Sequence, residues 1–219
     1  MITFEQVKAH EGIRAYMEKG NGNLGVLGYT EHGTAHAMKA AVTAAEILEK
    51  LGYSEREIEL AKIAGYMHDI GNCVNRNDHA HTGALMAMQV LSSMGMDVCE
   101  TAAIMAAIGN HDEKTGTAVD AVSAALILAD KCDVRRSRVR EQKETEFDIH
   151  DRVNYAVTSA QLSVDAEKRV ITLEIELDDR ICSVMDYFEI FMERMLMCRR
   201  AATMLGCRFS LRANGGKVL

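Results

Sequence analysis

The spacing of apolar and polar residues is helical over roughly the first two thirds of the chain. From Phe4 to about Arg140, apolar side chains recur at intervals of three and four residues, and glycines separate the segments. Such spacing gives a helix one apolar face that can pack on a core. The pattern predicts helices over residues 34–51, 54–67, 81–94, 97–108 and 118–138.

Two short segments add local detail to this pattern. Ser54 precedes Glu57 by three positions, which is typical of a capping box that opens a helix. Residues 20–25 contain three glycines and are predicted to form a mobile loop near a site, because glycine disfavours the interior of a helix.

The pattern changes after the charged run at residues 141–146. Residues 171–177 alternate apolar and polar, as in a half-buried strand, and residues 161–165 alternate more weakly, which favours a hairpin. A long amphipathic helix follows over 183–205, and residues 207–212 alternate again. The predicted fold class is therefore mainly α, with a helical domain over 1–146 and a small α+β unit (β-β-α-β) over 147–219.

Composition excludes several classes of protein. The chain has 219 residues, 48% of them hydrophobic and 26% charged, which is ordinary for a soluble globular protein. A net charge of −7 argues against broad nucleic-acid binding. The first residues lack the apolar core of a signal peptide, no apolar run could span a bilayer, and the six cysteines form no C-x-x-C pair. We expect a cytoplasmic protein without a membrane partner, and a homo-oligomer is left open.

Candidate chemistry centres on the adjacent pair His68 and Asp69. The pair ends an apolar helix, and burying both groups would cost several kcal/mol unless they were paired or bound to a cation. Imidazole and carboxylate together suit divalent transition metals. A second such pair, His150 and Asp151, lies in a charged segment and is interpreted as a solvated surface.

Two further residues support a metal site at this pair. His36 lies on an earlier predicted helix, and Asp130 ends the apolar run 124–129. A carboxylate at the end of such a run is unusual, because uncompensated buried carboxylates are rare.

With these residues the chain resembles the HD-domain superfamily of metal-dependent phosphohydrolases, over about residues 30–140. The resemblance implies an HD-type helical bundle that binds one or two divalent ions (Fe, Mn, Co, Ni, Zn or Mg). It implies that one metal is bound by four residues: His36, His68, Asp69 and Asp130. It also implies that His81 and His111 bind a second metal, with Asp69 bridging both ions. Asp112 departs from the pattern, because some two-metal members have a second histidine there.

The other histidines carry weaker expectations. His32 is left open between the cleft and the surface, since it lies one turn before His36. His79 and His81 would point apart on a helix, so at most one of them should bind metal, and His81 is preferred because the residues after it match the family. His10 is expected to be structural or exposed.

A basic cluster follows Asp130. Lys131 and Arg135 would share a helical face and are predicted to bind phosphate. The remaining arginines, at positions 136, 138 and 140, are interpreted as a solvated helix end. Asp112 or Glu113 is the candidate for guiding the attacking water.

These features favour metal-assisted hydrolysis of a phosphate ester or anhydride of a small molecule, with a nucleotide as the expected class. Residues 108–131 are similar to bacterial HD hydrolases that act on diadenosine tetraphosphate. Two alternatives stay open. One is a diiron HD-type oxygenase acting on a small phosphonate or polyol-like substrate, with Tyr29 and Glu31 as a lid. The other is a non-catalytic metal- or nucleotide-binding regulatory module, whose β-containing tail would sense a ligand, pair strands with another subunit or cover the helical domain.

Overall fold

Helices make up most of the fold. A computed structural model describes residues 1–140 and 149–218. The helices in these residues are α1 (Phe4–Ala9), α2 (Glu11–Val26), α3 (Thr34–Lys50), α4 (Glu55–Met67), α5 (His79–Ser93), α6 (Val98–Gly109), α7 (Ala121–Lys131), α8 (Ile149–Ala156) and α9 (Val184–Met204). The strands are β1 (Val157–Asp165), β2 (Val170–Leu177), β3 (Arg208–Ala213) and β4 (Gly216–Lys217). The predicted fold class is confirmed, with β4 as a short addition to the expected unit.

The bundle is organised around α7, which packs against α3, α4 and α6. Its residues from Val122 to Ala129 are all buried, as expected for a helix covered on every side. Helix α3 presents alanines to α4, and a Cβ added at Gly65 would lie 2.7 Å from the Cα of Ala41. Small residues therefore let the two helices approach closely.

The C-terminal strands form one sheet in the order β1-β2-β3-β4. The β1 and β2 strands form the predicted antiparallel hairpin, while β2 and β3 are parallel and connected through α9. Helix α9 packs against β3 and also against α7. The α+β unit and the helical bundle consequently share one hydrophobic core. A division into two domains at residue 146 stays a prediction.

Local predictions fared unevenly. The Ser54–Glu57 capping box is present, with the Ser54 side chain accepting a hydrogen bond from the backbone N–H of Glu57. The predicted loop at residues 20–25 is wrong, because these residues lie inside α2. Gly20 faces the 3₁₀ helix Ile70–Cys73, and a Cβ added there would lie 3.0 Å from the backbone nitrogen of Cys73. The glycine therefore permits close packing between two helices.

The predicted helix over 118–138 is also too long. Helix α7 ends at Lys131, and the backbone N–H groups of Asp133 and Val134 bond to carbonyls two or three residues earlier. A second 3₁₀ helix covers Arg136–Arg138. In the part of the chain that the structure describes, no helix has the length and apolar character of a membrane span.

Candidate metal centre

Six side chains from five helix ends converge in the interior. They are His36 in the first turn of α3, His68 and Asp69 directly after α4, His79 at the first position of α5, His111 just after α6, and Asp130 in the last turn of α7. Each imidazole is almost fully buried, as is Asp69. Helix ends suit such a centre because the chain can turn there and expose side chains that the helix interior would direct elsewhere.

One half of the centre, termed here the His36 group, consists of His36, His68, Asp130 and the Oδ2 atom of Asp69. The Nε2 atom of His36 lies 3.3 Å from Nε2 of His68 and 3.3 Å from Oδ1 of Asp130. Oδ2 of Asp69 lies 3.2 Å from Nε2 of His68 and 3.8 Å from Nε2 of His36. The donor atoms therefore point at one common volume.

The other half, termed the His79 group, consists of His79, His111 and the Oδ1 atom of Asp69. The two Nε2 atoms are 3.1 Å apart, and they lie 3.5 Å and 3.9 Å from Oδ1 of Asp69. His68 lies between the groups. Its metal-ligating nitrogen lies within 4.8 Å of the ligating atoms of Asp69 and His111, and also within 4.8 Å of those of His36 and Asp130. Asp69 thus contributes one oxygen to each side.

Hydrogen bonds fix which imidazole nitrogen carries the proton. The Nδ1 atoms of three imidazoles face backbone carbonyl oxygens, at 2.8 Å for His68, 3.0 Å for His79 and 2.6 Å for His111. Nδ1 of His36 faces a carboxylate oxygen of Asp133 at 2.8 Å. These acceptors cannot donate, so each Nδ1 holds the hydrogen. In the neutral rings every Nε2 therefore presents a lone pair to the centre.

A bound cation would stabilise the lone pairs and carboxylates that face one another in this buried space. Oδ2 of Asp69 is buried and, among the described residues, accepts no hydrogen bond. Nε2 of His68 lies 3.2 Å away and can donate to this oxygen only when the ring is protonated, and a buried carboxylate without a partner is strongly destabilising. The donor set of imidazole nitrogens and carboxylate oxygens fits divalent Mn, Fe, Co, Ni or Zn. The residues could therefore hold a divalent transition-metal ion, whereas Mg²⁺, also expected from the sequence, prefers oxygen ligands.

Burial and the neighbouring charged groups shift the pKa values of the carboxylates and imidazoles in the centre. Burial would raise the pKa of Asp69, but the neighbouring His68 outweighs it and holds that pKa well below its usual value. For His68, burial lowers the pKa, yet Asp69 and Asp130 together raise it above the ordinary value. Burial lowers the pKa of His111, which is further from these carboxylates. Positive charge is therefore favoured most beside Asp69 and Asp130.

One predicted ligand lies outside the centre. His81 is exposed over 57% of its side chain and lies 3.8 Å from Asp78, whereas His79, only 4% exposed, lies beside Asp69. The expectation that only one of the two histidines could face the site agrees with the structure, but the choice of His81 does not. Asp78 has a left-handed conformation (φ 58°) immediately before α5, and this turn directs the first residue of the helix inward.

Close packing behind the centre positions His79. A Cβ added at Gly71 would lie 2.0 Å from the carbonyl oxygen of His79 and 2.6 Å from the backbone nitrogen of Gly83. The 3₁₀ helix after Asp69 consequently lies directly against the first turn of α5. Asn72 in that 3₁₀ helix donates to Oδ1 of Asp69 at 2.8 Å, which fixes the orientation of the shared carboxylate.

The two residues predicted to bind phosphate, Lys131 and Arg135, lie in different environments. Lys131 lines a cavity beside the centre and lies 2.7 Å from Oδ2 of Asp130. Arg135 does not share its face, because α7 has ended; it forms a two-pronged contact with Asp133, at 2.6 and 3.0 Å. Arg138, interpreted from sequence as part of a solvated helix end, is instead buried and lines the cavity.

The cavity has a volume of about 840 Å³, which suits a small-molecule ligand. Besides the centre, its wall includes Tyr29, Asp112 and Glu113, all singled out from the sequence. Glu31 has a different role, because its carboxylate accepts a hydrogen bond from the backbone N–H of Gly33 at 2.6 Å. His32 is half-buried and reaches the cavity, which answers the question that the sequence left open.

Helices α8 and α9 form a part of the cavity wall that was not predicted from the sequence. His150 and Asp151 line the cavity; His150 is exposed as expected, but Asp151 is buried, so its interpretation as a solvated residue is wrong. Helix α9 is kinked at Phe191, where φ is −110° and ψ is 16°. Beyond the kink, Arg194 stacks on the Phe191 ring and pairs with Glu113 at 2.8 Å. The C-terminal unit thus builds part of the site.

Comparison with known proteins places this geometry in a family. The model of the HD domain family matches residues 34–190, so the chain belongs to the HD domain family. An uncharacterized protein of Methanocaldococcus jannaschii is 23% identical over 203 residues, covering 81% of this chain and 77% of that protein. The crystal structure of a predicted HD superfamily hydrolase from an uncultured Thermotogales bacterium is 25% identical, with a TM-score of 0.45, over 57% of this chain and 67% of the other.

The chain is therefore an HD domain protein whose buried His/Asp groups could hold a divalent metal ion.

Proposed function

We propose that the protein hydrolyses a phosphate ester or anhydride of a small molecule, with a nucleotide as the expected class, at a two-metal centre. The observation that carries this proposal is the pair of ligand groups sharing Asp69, next to a cavity lined by cationic side chains. When bound there, divalent ions would supply a Lewis acid for phosphoryl oxygens and a hydroxide near neutral pH.

The side chains around the centre have roles that follow from their charge and position. Lys131 is the candidate to bind a phosphoryl oxygen, because its ammonium group lies at the edge of the His36 group and faces the cavity. Arg76 lines the cavity beside the His79 group, and among the described residues it contacts His79, Asn72 and the ring of Tyr29 but forms no ion pair with a carboxylate. An arginine in this setting can hold two phosphate oxygens at once.

Two acidic residues are candidates for proton transfer. Asp112 lines the cavity beside His111, so it is placed to orient an attacking water or to receive its proton. Glu113 is engaged by Arg194, and this ion pair, opposing burial, lowers the pKa of its carboxyl. Asp112 is therefore the better candidate of the two.

Turnover by the full chain, stripped with chelator and reloaded with one metal at a time, tests the proposal. Phosphate release is measured with Mn, Fe(II), Co, Ni, Zn and Mg against phosphate monoesters, nucleotides and dinucleoside polyphosphates, with and without oxygen. We expect metal-dependent release that needs no oxygen. Turnover that requires iron and oxygen would support the oxygenase instead, and metal binding without turnover would support the regulatory module.

A variant pair tests the phosphate-binding role. Lys131→Gln should lower kcat/KM by an amount corresponding to ~1.5–3 kcal/mol, because it removes a charge-assisted hydrogen bond to substrate. The control is Lys39→Gln, which neutralises an exposed lysine on α3. Equal kcat/KM values in the two variants would show that Lys131 does not bind the substrate.

A further inference from the structure

The four imidazoles of the centre differ in what supports them from behind. His68, His79 and His111 each donate Nδ1–H to a neutral backbone carbonyl. Only His36 donates to a carboxylate, that of Asp133, at 2.8 Å. A carboxylate behind an imidazole raises its basicity and makes its other nitrogen a stronger metal ligand. The centre is therefore asymmetric in its outer contacts.

Asp133 is held so that this contact persists. Its side chain is only 1% exposed, and Arg135 binds both of its carboxylate oxygens. Arg138 donates to the backbone oxygen of Asp133 at 2.9 Å and also to the backbone oxygen of Glu31 at 3.0 Å. The same arginine thus fixes Asp133 to the segment that leads into α3, where His36 lies.

The chain at the end of α7 brings the carboxylates of Asp130 and Asp133 to the same imidazole ring, that of His36. The backbone N–H of Asp133 donates to the carbonyl of Asp130 at 3.1 Å, so the chain turns sharply after the helix. Oδ1 of Asp130 then lies 3.3 Å from Nε2 of His36, while Oδ2 of Asp133 lies 2.8 Å from Nδ1 of the same ring. A single D-x-x-D segment therefore contacts both nitrogens of one imidazole.

The His79 group lacks this support and has a competitor. The one carboxylate oxygen in this group as defined above is Oδ1 of Asp69, which already accepts a hydrogen bond from Asn72 at 2.8 Å. Nη1 of Arg76 lies 3.4 Å from Nε2 of His79, the atom that would bind a metal. A guanidinium at that distance opposes a second cation electrostatically.

We propose that Asp133 is a positioning residue that makes the His36 group the tighter of two metal sites, so that the groups fill in order. The inference rests on the two-metal centre of the proposed function. It goes beyond that function because it assigns a role to a residue that touches neither metal nor substrate. It also ranks the affinities of the two groups: the His36 group first, the His79 group second.

Metal titration of the chelator-stripped full chain tests the order of filling. Isothermal titration with Mn²⁺ or Co²⁺ should show a tight and a weak class of site in the wild type. Asp133→Asn gives His36 a neutral amide acceptor, like the carbonyls behind the other three rings. We expect the affinity of the tight class to fall ~10- to 100-fold, the range for outer contacts of metal ligands, with the weak class nearly unchanged.

Arg135→Gln is the matched control, because it removes a partner of Asp133 while keeping the carboxylate behind His36. It should leave the tight class in place. Thermal unfolding of the metal-free proteins separates metal binding from folding. Asp133→Asn and Arg135→Gln should unfold at similar temperatures without metal, and only Asp133→Asn should show a smaller rise in melting temperature at low metal concentration.

Three outcomes would overturn the inference. If the wild type binds two ions and Asp133→Asn binds them equally well, Asp133 has no positioning role, although the centre stands. If both variants lose the tight class to the same extent, the carboxylate acts only through the local fold. If the wild type binds no divalent ion, the two-metal centre and the proposed function fail together.

Discussion

His79 and His81 form a natural pair of test positions, because they lie two residues apart on α5 and face opposite environments. The side chain of His79 is 4% exposed and lies beside Asp69 and His111, whereas that of His81 is 57% exposed. His79→Ala removes one of three ligand residues from the His79 group. His81→Ala removes the same atoms from the surface of the same helix.

The expected effect of His79→Ala on stability follows from the linkage between metal binding and folding. Losing a ligand should cost at least as much affinity as losing an outer contact, which is ~10- to 100-fold. A site at a metal concentration of 100 times its Kd contributes ~2.7 kcal/mol to stability, and a 100-fold loss of affinity removes about 2.3 kcal/mol of it. For a domain of this size, the metal-induced rise in melting temperature should shrink by about 5–9 °C.

The assay is a thermal melt of each stripped variant with and without Mn²⁺ or Co²⁺, with bound metal counted by elemental analysis. Comparing the metal-induced rise, rather than the melting temperature itself, removes the packing loss caused by His79→Ala. We expect His81→Ala to match the wild type in both measurements. If His81→Ala loses a bound ion while His79→Ala keeps it, the structural assignment of the second group is wrong.

Three further predictions concern packing, pH and metal removal. Gly71→Ala should destabilise the protein by at least ~1–3 kcal/mol in urea unfolding, since its Cβ would overlap the carbonyl at the start of α5. Gly22→Ala, in open space on α2, should instead add ~0.5–1 kcal/mol, and equal effects would contradict this packing. Arg194 outweighs burial and lowers the pKa of Glu113 in the folded protein. The ionised Glu113 carboxylate therefore stabilises the fold above the unfolded pKa of about 4.3, and this contribution is lost as the pH falls through the folded pKa. The stability difference between wild type and Glu113→Gln should therefore shrink below pH ~4.3, and parallel pH curves would refute the ion pair. Removal of metal with chelator should lower the melting temperature, because facing lone pairs and carboxylates lose their cation; an unchanged melting temperature would argue against a resident metal.

The apolar pattern and the local caps were enough to predict most helices and the strand alternation. Ser54 and Glu57 mark the start of α4 in any context, because a capping box depends on neighbours within one turn. The alternation over 171–177 gave β2 in the same way, since the faces of a strand alternate residue by residue. His36, His68, His111 and the two aspartates converge as the family resemblance implied.

Only the tertiary structure could decide which side chains enter the centre and which support it. The D-x-x-D spacing of Asp130 and Asp133 is visible in the sequence, but a turn after α7, and not a helix, brings both to His36. The choice of His79 over His81 depends on one left-handed residue and on packing of a 3₁₀ helix against α5. The wall built by α9 comes from residues far along the chain. The local sequence pattern determines which secondary structure each segment prefers. Contacts between distant segments depend instead on how closely their backbones can approach, which only the packing of the complete fold determines.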